Sequence, residues 1–302
     1  SISNKEIIIS HLTGSKYQAI KLYHIRGLFQ SKKNNPLYTA MPFFSKIALP
    51  YKKGGDVMLD FIHEGYIGNP FQLVTLRRVT AADGRAKGTE IIEVKTAAGL
   101  ELDILPDAGL DIGQARYRGI NMSWMSKNGY DNQAVISPYE TEFVNTFPGG
   151  LLYTCGLRSV GPANRDNGEW HPMHGRYHSL QAEQVCTEIV GNEIYVRGTI
   201  RESALFGHCL EVKRMIRVPV SGASVTVTDI VTNLTPRDEE IMQIYHCNFG
   251  YPLLSEKAQL VLPKERETIP RTDFARTVSS TLSPSVNSPL YFSLILAIIS
   301  SS

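Results

Sequence analysis

Polar and apolar positions alternate most clearly in the second half of the chain. Ile194, Val196 and Ile200 fall on one parity, with Glu193, Arg197 and Thr199 on the other. Leu210, Val212, Ile216, Val218 and Val220 then share a parity against Glu211, Lys213 and Arg217, and Val225 and Val227 alternate with Thr226 and Thr228. A period of two in segments bounded by Gly, Pro and Asn predicts antiparallel strands with one buried and one wet face. Earlier, residues 73–79, 91–94 and 100–105 are short apolar runs separated by Asp83-Gly84 and Ala97-Ala98-Gly99, and they predict further strands. No sustained 3.6-residue period competes with this pattern. The fold class it predicts is mainly β.

The two ends read differently. Residues 1–60 hold no sustained period, and the mixture of turn formers and apolar pairs predicts irregular structure. One pattern, G-x-x-[YF]-Q-x-[IV]-x-L, occurs twice, from Gly14 to Leu22 and from Gly68 to Leu76. Arrays need about three copies, so a chance match or a duplicated strand is expected instead. Residues 277–289 are rich in Ser, Thr and Pro and predict a flexible segment. The apolar run at 290–299 is about half of the ~20 residues that cross a bilayer, and is an aggregation liability if unpaired. These changes divide the chain into an N-terminal segment (1–56), a β-sandwich domain (57–275) and a low-complexity and apolar tail (276–302).

Composition narrows the classes of partner. A formal net charge of +2 makes no strong field, so neither nucleic acid nor an anionic membrane is an expected partner. The four cysteines at 155, 186, 209 and 247 never form C-x-x-C, which excludes a zinc ribbon or a thioredoxin-type pair. Reduced thiols and no evident signal peptide at the N-terminus predict a cytoplasmic protein. Nothing in the sequence indicates an oligomeric state.

Candidate chemistry concentrates in residues 147–178, where His171, His174 and His178 stand among three arginines and a tryptophan, punctuated by Gly149-Gly150, Gly161-Pro162 and Gly175. Pro172 and Gly175 argue against a helix that would bring the histidines to one face. His174 and His178 could begin a metal site, but no nearby carboxylate is at an obvious position. A polar wall contacting a hydroxyl-rich ligand fits these residues better. A second cluster lies at 243–252, where an extended chain would face Ile244, His246 and Asn248 together. An imidazole beside an amide suits proton transfer to a bound oxygen. It equally suits a buried histidine bonded to Asn248 or to a backbone carbonyl. Asp107 and Asp111 could flank a glycosidic bond, though a turn capped by Asp107 is the simpler account. There is no Gly-rich phosphate loop.

Taken in order, PDAGLDIG, YRGINMSW, FPGGLLYTCGLRSVGP, HPMHGRYHSLQAE and YHCNFGYPLL resemble a bacterial branch of the galactose mutarotase-like (aldose 1-epimerase) superfamily, from about Gly65 to about Pro270. The resemblance implies a β-supersandwich whose open face binds a pyranose, with no cofactor or metal. It implies that His246 is the catalytic proton donor to the ring oxygen and that His174 and Arg158 hold the sugar; Arg176 and Asn248, from the reading of the residues, are expected as further substrate contacts. Two positions depart from the family pattern: Ala108 stands where arginine is usual, and no residue matches the late glutamate that takes the proton of the anomeric hydroxyl. The expected fold is therefore a sandwich incomplete at its C-terminus. The expected function is sugar binding of the aldose 1-epimerase type, with acid–base interconversion of anomers. The alternatives are a non-catalytic sugar-binding protein and a metal-dependent, cupin-like sugar isomerase using His174 and His178.

Overall fold

A computed structural model describes residues 64–132 and 142–254, together with the strand backbones at 6–13, 16–23, 26–30, 39–40, 258–261 and 292–300. The segment 277–289, expected to be flexible, lies outside the described residues, as does most of 31–63. In chain order the first strands are β1 (Glu6–Thr13), β2 (Lys16–Tyr23), β3 (Arg26–Gln30), β4 (Thr39–Ala40), β5 (Thr75–Thr80), β6 (Glu90–Lys95), β7 (Leu100–Leu105), β8 (Asp111–Tyr117) and β9 (Ile120–Asn121). After a short helix, α1 (Glu142–Thr146), come β10 (Leu152–Leu157), β11 (Asn164–Asp166), β12 (Glu169–His171), β13 (Glu183–Val190), β14 (Glu193–Ser203) and β15 (Cys209–Pro219). The last are β16 (Thr226–Asn233), β17 (Ile241–Phe249), β18 (Ala258–Val261) and β19 (Phe292–Ser300).

Two sheets carry the architecture. One has the order β19-β17-β10-β8-β7-β6-β5, with β9 paired to β8; the other runs β13-β14-β15-β16-β3-β4. Pairing is antiparallel throughout except for β3 against β16. The parity read from the sequence is the parity of burial. Ile194, Val196, Ile200, Leu210, Val212, Ile216 and Val218 are all fully buried, and they meet Ile92, Val94, Leu100, Leu102 and Ile104 of the first sheet in one core. Burying side chains of this size contributes roughly 1.5–3 kcal/mol each. The protein is thus a mainly β sandwich.

Three features differ from what the sequence predicts or resolve its ambiguities. Residues 6–30, expected to be irregular, contain three strands, and β3 takes its partner from β16, far along the chain, so no local period announces it. The repeated pattern is not a structural repeat. Its first copy falls in strand β2, whereas in the second the Asn69 side chain accepts the Phe71 N–H and Pro70–Gln72 forms a 3-10 turn before β5 begins. Pro70 cannot donate to a ladder, which separates the two copies. The apolar run at the end of the chain is paired, with β19 running antiparallel along the whole of β17.

Candidate functional site

Strand β17 fixes the site by alternation. Tyr245, Cys247 and Phe249 point into the core between the sheets, so His246 lies on the opposite face of its sheet. In register across from His246 on β10 is Tyr153. Over these two residues fold α1 and the 147–178 segment. Phe147 meets Tyr153 edge-on at 4.8 Å and His246 at 6.4 Å, and Phe143 stacks on Phe147 at 5.0 Å. The ring of His174 stands 5.6 Å from that of His246 and 5.3 Å from Phe143. His178 stacks on Tyr153 at 4.6 Å. Two imidazoles separated by more than seventy positions therefore meet in one aromatic cluster.

The turn that delivers His174 is tightly specified. His174 has a φ of 62°, a conformation uncommon for a side-chain-bearing residue and one that clusters at functional sites. Its N–H donates to the Gly161 carbonyl and its own carbonyl accepts from Gly156. Gly175, at φ 76°, lies so close to β10 that a Cβ there would meet the Gly156 and Ser159 carbonyl oxygens at 2.3 and 2.5 Å. Only glycine permits that approach.

Burial sets the protonation of the histidines. It pushes His174 down to about 4, with the neighbouring His246 adding to the effect. His178, wholly enclosed, is pushed down to about 3. His246 is also lowered by burial, while its hydrogen bond to Asn248 works in the other direction. At neutral pH these imidazoles are uncharged. Asn248 is fully buried and its amide donates to the Gly150 carbonyl at 3.0 Å, tying His246 to the Gly149-Gly150 turn.

The structure brings the two arginines together around one carboxylate, Glu169. Arg158 pairs with Glu169 and lies 3.7 Å from Glu239, and Arg176 approaches Glu169 at 3.9 Å. Arg158 and Glu169 border a cleft of about 430 Å³ that also takes in His208 and residues 237–239. Sequence reasoning named His246, His174, Arg158, Arg176 and Asn248, and missed the other rings of the cluster and the rest of this cleft. Tyr153 could have been found from its parity in the GGLLYTCG segment. Phe143, Glu202 and His208 carry no local signal. Among the described residues no group of three His, Cys, Asp or Glu is placed to hold a metal ion. No described helix is long and apolar enough to cross a membrane.

Residues 86–286 match the model of a protein family described as Domain of unknown function (DUF4432). No curated protein matches the chain. Among solved structures, a candidate aldose 1-epimerase from Klebsiella pneumoniae superposes with a TM-score of 0.57 at 24% identity, covering 60% of this chain and 49% of that one. A galactose mutarotase-like protein from Clostridium acetobutylicum gives 0.44 at 15% identity, covering 61% and 56%. A galactose 1-epimerase from Lactobacillus acidophilus gives 0.33 at 13%, covering 58% and 51%. The Klebsiella likeness carries the fold. The chain spans about half the length of these structures.

Proposed function

This chain belongs to the DUF4432 family, and from that premise we propose that it binds a sugar in the manner of an aldose 1-epimerase and exchanges the sugar's anomers by acid–base chemistry. The observation that carries the reading is the contact between His174 and His246 among the rings of Phe143, Phe147 and Tyr153. Aromatic rings suit the C–H faces of a pyranose, and neutral imidazoles suit its hydroxyls, each offering one donor and one acceptor. In this reading His246 gives a proton to the ring oxygen while a solvent water takes the proton of the C1 hydroxyl. The bond between C1 and the ring oxygen breaks, the open aldehyde turns about C1–C2, and reclosure on the other face returns both protons. His174 orients the sugar, Arg158 and Arg176 hold hydroxyls at its edge, and Asn248 holds His246. Four unpaired thiols fit a reducing compartment such as the cytoplasm.

A second reading, sugar binding without turnover, is favoured by the lowered pKa of His246, since an imidazole that stays neutral at pH 7 is rarely in the form that donates a proton as an acid. Polarimetry and exchange NMR on freshly dissolved D-galactose and D-glucose separate the two. Turnover predicts anomer exchange faster than buffer, reduced roughly 10²-fold or more by His246→Gln. Binding with buffer-rate exchange selects the second reading, and absence of binding to any aldose removes both.

A further inference from the structure

We propose that α1 is a movable cover over the imidazole cluster, and that Phe143 gives up its place against His174 to the entering ligand, a sugar if the reading above holds, on which this identity rests. His246 is 8% exposed, Tyr153 5% and His178 6%, so the groups assigned to the sugar are shut away in this conformation. A sugar that takes a proton from His246 has to touch its ring, and part of the covering has to move first. Phe143 supplies much of that covering. Its ring lies 5.3 Å from that of His174 and 5.0 Å from that of Phe147, and it meets Tyr153 and His178 edge-on at 6.1 and 6.2 Å.

The rings of the cluster differ in how their backbones are held. Tyr153 and His246 sit on β10 and β17, each paired on both edges within the sheet. The His174 turn is bonded to Gly156 and Gly161. Phe147 leads straight into a fixed stretch, where the Pro148 carbonyl accepts the Ser126 N–H at 2.9 Å and the Gly150 N–H donates to the Trp124 carbonyl at 2.8 Å. Helix α1 lacks such anchors among the described residues. It is 5 residues long and buries none of them, and Val144 is 66% exposed. One turn of helix is not stable by itself. Apart from the Phe143 ring, its ties to the body are side-chain bonds at the surface: the Asn128 amide donates to the Val144 carbonyl at 3.2 Å, and the Arg85 guanidinium to the Asn145 carbonyl at 2.8 Å. A segment with few buried contacts and solvent-exposed hydrogen bonds opens locally long before the fold does. Opening of α1 lifts Phe143 from His174 and leaves both imidazoles in place. The C–H face of a pyranose then meets the rings that Phe143 has left. While α1 is closed it competes with the sugar, and apparent affinity falls in proportion to the open fraction.

Two measurements on the full chain test the cover and keep it apart from the sugar reading. The first follows acylation of His174 and His246 by diethyl pyrocarbonate at pH 7, resolved by mass spectrometry after proteolysis. It compares the parent, Phe143→Ala, and a chain carrying both Arg85→Ala and Asn128→Ala, which cuts the surface ties and keeps the Phe143 ring. His208, 4% exposed and carried by the 203–209 hairpin, is the internal control for a general loosening of the fold. The second measures D-galactose binding to the same chains by NMR. Cutting the ties is expected to speed acylation of His174 and His246 about tenfold, with His208 unchanged, and to tighten galactose binding by about the same factor. Unchanged acylation in the double variant overturns the cover, and galactose binding at the parental affinity then leaves the sugar reading standing. Faster acylation of His208 alongside the other two also overturns it, because the fold as a whole has loosened. Selective acylation with no aldose bound by any chain upholds the cover and removes the sugar reading. If Phe143→Ala leaves acylation at the parental rate, Phe143 is not what shields the imidazoles, and the proposal falls.

Discussion

His174 and His246 press two ionisable rings against each other in a place where water has been removed. A protonated imidazole there loses hydration, and at His174 the neighbouring His246 also resists the charge, so both titrate below the ordinary value of 6.5. If His246 is the proton donor, the chemical step should weaken as pH rises above a pKa lying under 6.5, and a profile that instead rises through pH 7 would assign His246 the opposite role. His178 supplies a cleaner stability test, because it is enclosed, stacked on Tyr153, and its Nδ1 has no partner. Its folded pKa of about 3 lies below the unfolded value, so the unfolded chain takes up the proton first as pH falls. The stability associated with this residue is complete above about pH 6.5 and is lost progressively between there and pH 3. His178→Phe should therefore lower the steepness of the melting-temperature loss between pH 6.5 and 4, and an unchanged slope would exclude this account. At this scale the sequence yields the imidazoles through the motifs that hold them, but not their protonation, because desolvation comes from Phe143, Phe147 and Tyr153, which are brought there by separate elements.

Elements were legible in proportion to how local their partners are. The hairpins from β14 to β16 announce themselves by alternation, since each strand needs only the next one and a common core below it. β3 was not legible, because its place between β16 and β4 is set by residues far along the chain. The 172–175 turn lies between these cases: Pro172 and Gly175 mark a break in the sequence, but only the structure shows that the break seats against β10. Gly156 and Gly175 form a bridge there, with the Arg176 N–H donating to the Gly156 carbonyl at 2.9 Å. Gly175→Ala places a methyl group inside two carbonyl contacts in a left-handed conformation, so it should destabilise the protein by about 2 kcal/mol or more. In a chain of this size that corresponds to a melting temperature lowered by roughly 4 °C or more. The same variant should also raise the exposure of His174 and weaken sugar binding. A variant with parental stability would mean that the turn can move away from β10 without cost.

The whole molecule is two sheets that must be held in one relative position for β17 and the 147–178 segment to meet, and apolar packing alone tolerates sliding. Arg214 supplies the register. It lies on the inward parity of β15, between Val212 and Ile216, a position where the sequence pattern calls for an apolar residue, and Asp229 breaks the pattern in the same way on β16. The guanidinium is fully buried and all five of its N–H groups are used. They go to both oxygens of Asp229, to Asp111, to Thr154 and to the Gly109 carbonyl, at 2.7–3.1 Å. Gln243 and Tyr245 of β17 complete the Asp229 shell. Asp111, Thr154, Gln243 and Tyr245 belong to the sheet that carries His246, while Arg214 and Asp229 belong to the other, so the network spans the sandwich directly beneath the site. Burial raises Asp111 to about 6 against the pull of Arg214 and Thr154. Removing the cation should then cost far more than the loss of one side chain. Arg214→Met leaves two buried carboxylates without their counter-charge and should destabilise by about 3–5 kcal/mol, whereas adding Asp111→Asn and Asp229→Asn to the same chain should recover part of that loss. Urea unfolding of the three chains measures both steps, and sugar binding measured alongside tells whether the network also sets the geometry of the site. If Arg214→Met unfolds within about 1 kcal/mol of the parent, the sheets are held by apolar packing after all, and the charged network is a passenger in the core.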